Sequence, residues 1–201
     1  MRQDAARFFL TIIVVVSCML VGGTRMTDAN KVADEADRLL VFLSSEEIHP
    51  LVLEKRLQEY GAASRNEAVA RLAKVFEPVP SGKLITRLPY ILTEQNKSDM
   101  AFVFVVNLRS PDPEARTSCL YGLQKLNYPA LDDFALLSLR DANDQVVYAA
   151  CYILLPKAKQ NAGLWRTLQN LYAARKGKQE FYMSMSLLEA HGIERPAPGA
   201  K

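Results

Sequence analysis

Apolar residues recur three and four positions apart along most of the chain, the spacing of helices that bury one face. Val32, Ala36, Leu39, Leu40 and Leu43 share such a face and predict a helix from Val32 to Leu43, after the polar lead-in Thr27-Asp28-Ala29-Asn30. Ser44 or Ser45, followed by Glu46 and Glu47, reads as an N-cap with acids in the first turn. The helix it opens is expected to reach Tyr60 and stop at Gly61. Ser64-Arg65-Asn66-Glu67 starts another periodic stretch, with Ala68, Leu72, Val75 and Phe76 facing inward and Pro78, Pro80 and Gly82 ending it. Leu84 to Thr93 is helical in pattern, with Pro89 breaking or bending it. Asp99 to Leu108 is rich enough in Phe and Val to suit a strand, but its helical neighbours make helix the better reading.

Beyond this point the chain repeats itself. Leu108-Arg109-Ser110-Pro111-Asp112-Pro113-Glu114-Ala115 returns 31 positions later as Leu139-Arg140-Asp141-Ala142-Asn143-Asp144-Gln145-Val146. A fixed period of this length marks a stack of helical hairpins. Asp112 suits an N-cap and Pro113 the first helical position, where a missing N–H costs nothing; Asn143 caps the next copy. Asn127-Tyr128-Pro129 turns the chain into Ala130 to Leu139, so each unit reads helix, turn, helix. A weaker third copy has Leu164 to Ala174 as return helix, Lys176-Gly177-Lys178 as turn, and Phe181 to Ala190 as last helix, closed by His191-Gly192.

Pro111-Asp112-Pro113-Glu114-Ala115-Arg116 resembles the HEAT-repeat family, in particular the short bacterial type whose first helix reads Asp-Pro-Glu-Val-Arg. Ser118 and Cys119 follow Ala115 as small residues, then Leu123 and Leu126; Val146 is followed at the same first three offsets by Ala149, Ala150 and Leu154. Small residues let neighbouring helices approach, and the Leu positions fill the core between layers. The copies depart from the pattern at Val147, where Arg is expected, and at Lys157, where Leu is expected. The resemblance is carried by residues 108–154 and extends in outline to 95–192. It implies an all-α fold, a right-handed α-solenoid of HEAT-like helical hairpins with additional N-terminal helices. The expected organisation is a leader at 1–23, N-terminal helices at 24–60, the repeat domain at 61–192 and a tail at 193–201, where Pro196, Pro198 and Gly199 cannot extend a helix.

The leader changes the picture of where the chain works. Arg2 and Arg7 precede an uncharged run from Phe8 to Gly23, the form of an export signal. Its 16 residues would span about 24 Å as a helix, short of a hydrocarbon core of about 30 Å. Three fates stay open: cleavage after Gly23, retention as an anchor, or lipidation at Cys18, since Val15-Val16-Ser17-Cys18 resembles a bacterial lipobox. Arg25, Lys31 and Arg38 follow the segment as closely as Arg2 and Arg7 precede it, so charge does not set orientation. The expected location is exported, periplasmic or membrane-anchored in a bacterial envelope, with residues 8–23 meeting the membrane if they remain.

With 201 residues, 49% hydrophobic and 23% charged, the chain has the material for a core. Its net charge of +3 leaves no electrostatic footprint for nucleic acid. His49, His191 and three cysteines form no metal-ligand spacing, and no cofactor is expected. Cys119 and Cys151 could pair if both turned toward one seam, although Cys151 lies one position beyond the slot equivalent to Cys119. Tyr121 and Tyr152, 31 residues apart and pointing away from the inward face, read either as an aromatic binding strip or as packing between repeats. Arg109, Arg140 and Arg175 close successive return helices, where a cation complements the dipole or forms a basic rung for an acidic partner. Asn96-Lys97-Ser98 has the form of a glycosylation sequon.

The expectation is a scaffold that binds another protein, without catalysis. The alternatives are a structural subunit of a membrane complex acting through its anchor, and, further off, a HEAT-like lyase or DNA glycosylase. Low charge, the single Trp165 and the leader argue against the glycosylase.

Overall fold

The computed structural model describes residues 27–45, 48, 50–75 and 82–194. Among them the chain is all-α, with ten α-helices and two 3-10 turns. The helices are α1 (Asp28–Ser44), α2 (Pro50–Leu57), α3 (Ala62–Ala73), α4 (Gly82–Arg87), α5 (Lys97–Asn107), α6 (Pro113–Lys125), α7 (Leu131–Ser138), α8 (Asp144–Ala158), α9 (Ala162–Arg175) and α10 (Tyr182–Ala190). The leader, with Cys18 and residues 8–23, lies outside the described residues, as do His49 and residues 195–201.

Several boundaries differ from the expectation for identifiable reasons. Thr27 caps α1 by accepting the Asn30 N–H at 3.4 Å. Ser44 and Ser45 do not open the next helix; their hydroxyls donate back to the Leu40 and Val41 carbonyls, at 2.8 and 3.2 Å, and finish α1. Gly61 likewise stands at the start of α3 rather than only at the end of α2. Pro89 stops the α-helical part of α4 at Arg87, and the chain continues as a 3-10 turn over Leu88–Ile91. Residues 97–107 are helical despite their β propensity, because Met100, Ala101, Val103 and Phe104 then fall together on the buried side.

The 31-residue echo begins earlier than the sequence motif suggests: α4, α6 and α8 start at Gly82, Pro113 and Asp144, each 31 apart. Leu84, Ala115 and Val146 occupy one slot in the three helices, and all are buried. In packing order α1 meets α4, α4 meets α6, α6 meets α8 and α8 meets α10, while α3, α5, α7 and α9 pack against α1, α6, α8 and α8 respectively. At the far end Gly192 takes φ 72°, and the Gly192 and Ile193 N–H groups donate to the Glu189 and Leu188 carbonyls at 2.9 and 3.0 Å. That left-handed closure turns Ile193 into the core, fully buried, so Ile193 does not belong to the expected tail.

Two close approaches fix how neighbouring helices meet. A Cβ on Gly122 would lie 2.4 Å from the buried Phe104 ring, so α5 and α6 can meet there only at glycine. A Cβ on Gly82 would lie 1.7 Å from Asp112 Oδ2, so the Asp112 carboxylate sits directly over the start of α4.

Candidate functional site

The loops that start α6 and α8 are built alike. Asp112 Oδ1 accepts the Glu114 N–H at 2.9 Å, and Asn143 Oδ1 accepts the Gln145 N–H at 3.0 Å. Two residues before each cap, Ser110 Oγ accepts the Asp112 N–H at 3.2 Å and Asp141 Oδ1 accepts the Asn143 N–H at 2.8 Å. Arg116 ties the loops together. Its Nε and Nη2 donate to Asp141 at 2.9 and 2.8 Å, while Nη1 donates to the Ser110 and Pro111 carbonyls at 2.8 and 3.1 Å. The two side chains are 18% and 15% exposed, which makes this a largely sheltered, two-pronged ion pair. Burial alone would raise the Asp141 pKa, but hydrogen bonds from Arg116 and the Asn143 N–H, with the Arg116 and Arg175 charges, hold it below the usual carboxylate range.

The departure at Val147 now has a reason. Val147 is fully buried, and the arginine missing from its slot is supplied by Arg175, whose Nη2 donates to the Asp141 carbonyl at 3.2 Å. This repeats, one period on, the contact of Arg116 with the Ser110 carbonyl. Arg175 also lies 3.9 Å over the Phe181 ring and has a buried Nη1 without a hydrogen bond. It is therefore not part of an exposed basic rung; Arg109 and Arg140 are exposed, and Arg175 is drawn inward by Asp141 and Phe181. Lys157, the other departure, is exposed and donates to both oxygens of Asp132 on α7, at 2.5 and 2.6 Å. Asp144 of α8 reaches across to α10, accepting the Met183 and Ser184 N–H groups at 2.7 and 3.1 Å together with the Ser184 hydroxyl.

Tyr121 and Tyr152 are brought together. Their rings meet edge to face with centroids 6.3 Å apart at 73°, and they remain 38% and 50% exposed. Burial, then the neighbouring Tyr148 and Tyr152 hydroxyls, raise the Tyr121 pKa, which places Tyr148 in the same cluster. Tyr90, 31 residues before Tyr121, is 59% exposed on the 3-10 turn. Tyr90 lies before the motif that opens at Leu108, and the 31-residue period alone relates it to Tyr121. Pro156 has no N–H to donate, so the Tyr152 carbonyl has no helical donor four residues on.

Cys119 and Cys151 are both free and fully buried. Burial raises both thiols, Cys151 to about 12. The sequon asparagine is unavailable to a glycan: Asn96 is 2% exposed, accepts the Thr93 N–H at 2.8 Å and donates to the Ile91 carbonyl at 3.1 Å. His191 Nδ1 lies 2.9 Å from the Leu187 carbonyl at the end of α10. Trp165 is buried at 3% exposure. Among the described residues no group of three His, Cys, Asp or Glu side chains could hold a metal ion.

No family model matches the chain, no curated protein matches it, and no solved structure matches its fold.

Proposed function

We propose that the chain is a right-handed α-solenoid of HEAT-like hairpins, exported or membrane-tethered, that binds another protein through its curved face and has no catalysis of its own. The observation that carries this reading is the exposed, edge-to-face contact of Tyr121 with Tyr152 one repeat apart. Aromatic rings already ordered by a neighbour lose little freedom on binding and are favoured as interface anchors. α4, α6 and α8 meet in succession, as do α3 and α5, whereas among the described residues α5 with α7 and α7 with α9 make at most marginal contact. On this reading Tyr121, Tyr148 and Tyr152 line the binding face. Tethering rests on residues 8–23, since no helix among the described residues is long and apolar enough to cross a membrane.

The test is photo-crosslinking in the producing cell with a benzophenone side chain placed at Tyr152, and, as a control, at Tyr182, which is 71% exposed on α10. A discrete adduct from position 152, lost when Tyr121→Ala is added and absent from position 182, is the expected result. Identical adducts from both positions, or none from 152, would refute the assignment of the face.

A further inference from the structure

Beyond the aromatic face, an open cavity of about 510 Å³ lies where the end of α2 and the start of α3 approach the 3-10 turn, lined by Leu57, Gln58, Tyr60, Arg65 and Tyr90. Among the described residues Arg65 is the only charged one in this lining. Its Nε is buried without a hydrogen bond, and among the described residues its side chain has no ion pair. Several described charges on these helices have other partners: Arg71 pairs with Glu67 at 2.9 Å and with Asp37, Arg56 with Glu59 at 2.9 Å, and Glu35 accepts the Ser64 hydroxyl at 2.7 Å. Arg87 donates to the Leu43 and Ser45 carbonyls at 2.8 and 2.5 Å. A guanidinium partly withdrawn from water and left unpaired is costly, and its donors are arranged for a two-oxygen acceptor.

We infer that this cavity binds a carboxylate carried on an apolar body, with the Arg65 guanidinium as its counter-ion. One cation matches a monoanion, which favours a carboxylate over a doubly charged phosphate. Tyr60 and Tyr90 offer ring surface for the body and hydroxyls at its edge, Leu57 closes the apolar wall, and Gln58 adds an amide. The volume falls within the range of ordinary small-ligand sites, roughly 300–1,000 Å³. The site stands independently of the Tyr121–Tyr152 surface, because neither ring lines it.

The experiment titrates the full chain, held in mild detergent, with phenylacetate, with its neutral analogue phenylacetamide and with inorganic phosphate at constant ionic strength, reading tyrosine-ring NMR signals. Phenylacetate should shift the Tyr60 and Tyr90 signals saturably, while phenylacetamide and phosphate should not. Arg65→Gln should weaken phenylacetate binding on the order of ten- to a hundredfold, the scale of a hydrogen-bonded charge pair, and leave the melting temperature unchanged because no internal partner is lost. Arg65→Lys, which keeps the charge and loses the two-pronged edge, should fall between. An acetylated peptide ending in a free carboxylate, set against its amidated form, then distinguishes a chain terminus from a small acid as the source. Equal shifts with acid and amide, stronger binding of phosphate, or undiminished binding to Arg65→Gln would each overturn the inference.

Discussion

Replacing Gly122 by alanine is a sharp test of how neighbouring helices meet. The added Cβ would stand 2.4, 2.5 and 2.8 Å from three Phe104 ring atoms, where carbon pairs ordinarily settle at about 3.5–4.0 Å. Relief requires a shift of roughly 1 Å, and Phe104 is 1% exposed within the core, with no vacant side to move into. Overpacking of this kind costs about 1–3 kcal/mol, against which alanine recovers about 0.8–1.0 kcal/mol of helix propensity. A 2.4 Å contact with a buried ring belongs in the upper part of that range, about 2–3 kcal/mol, so the steric cost wins and the expected net loss is roughly 1–2 kcal/mol. For a domain of this size that corresponds to a fall in Tm of about 2–8 °C. Urea unfolding followed by circular dichroism reads it directly, and Phe104→Leu added to Gly122→Ala should return part of the loss through a non-zero coupling. A Gly122→Ala protein as stable as the parent, or more so, would show that α5 and α6 can separate freely and that the glycine does not set their approach.

Three further outcomes follow from the same geometry. Asp141→Asn should cost about 1–3 kcal/mol by leaving Arg116 without its charged partner, with Tm as the readout. Because the folded Asp141 pKa is depressed, its contribution is present above the unfolded carboxylate value of about 3.9 and is lost as pH falls through the lower folded value, so the acid limb of the stability curve should flatten in the variant; an unchanged limb would count against the pair. Cys119 and Cys151 should resist iodoacetamide in the native protein and label fully in denaturant without reductant, by mass; prompt native labelling, or labelling only after reduction, would contradict two buried free thiols. Asp144→Ala should cost α10 about 0.5–2 kcal/mol of capping and speed amide exchange at Met183 and Ser184 while leaving α6 protected; uniform loss across the chain would mean that α10 is not held locally.

The caps at Asp112 and Asn143, the return helices and the slot shared by Ala115 and Val146 were legible in the residues, because capping and apolar spacing act within a few positions of the chain. The period of Tyr121 and Tyr152 was legible too, but it left open a binding strip or packing between repeats, and their edge-to-face contact came only from the structure. The role of Ser44 and Ser45 was misread because a serine beside acids suits either end of a helix locally, and only the path of the following backbone selects one. The exchange of Arg116 for Arg175 around Asp141 joins residues 34 positions apart, and no local rule reports that a buried Val147 is compensated from another helix. The pairs Arg56–Glu59 and Glu67–Arg71, three and four residues apart, are local to the chain, but that Arg65 takes neither carboxylate and lines a cavity with Tyr60 and Tyr90 emerges only when α2, α3 and the 3-10 turn meet. Periodicity and caps thus specify which segments become helices and which faces they bury, since those are decided by interactions along one helix. Which charges pair across elements, as Arg71 does with Asp37 and Arg116 with Asp141, is decided only when separate segments meet, because those pairings depend on distances that the chain's order does not contain.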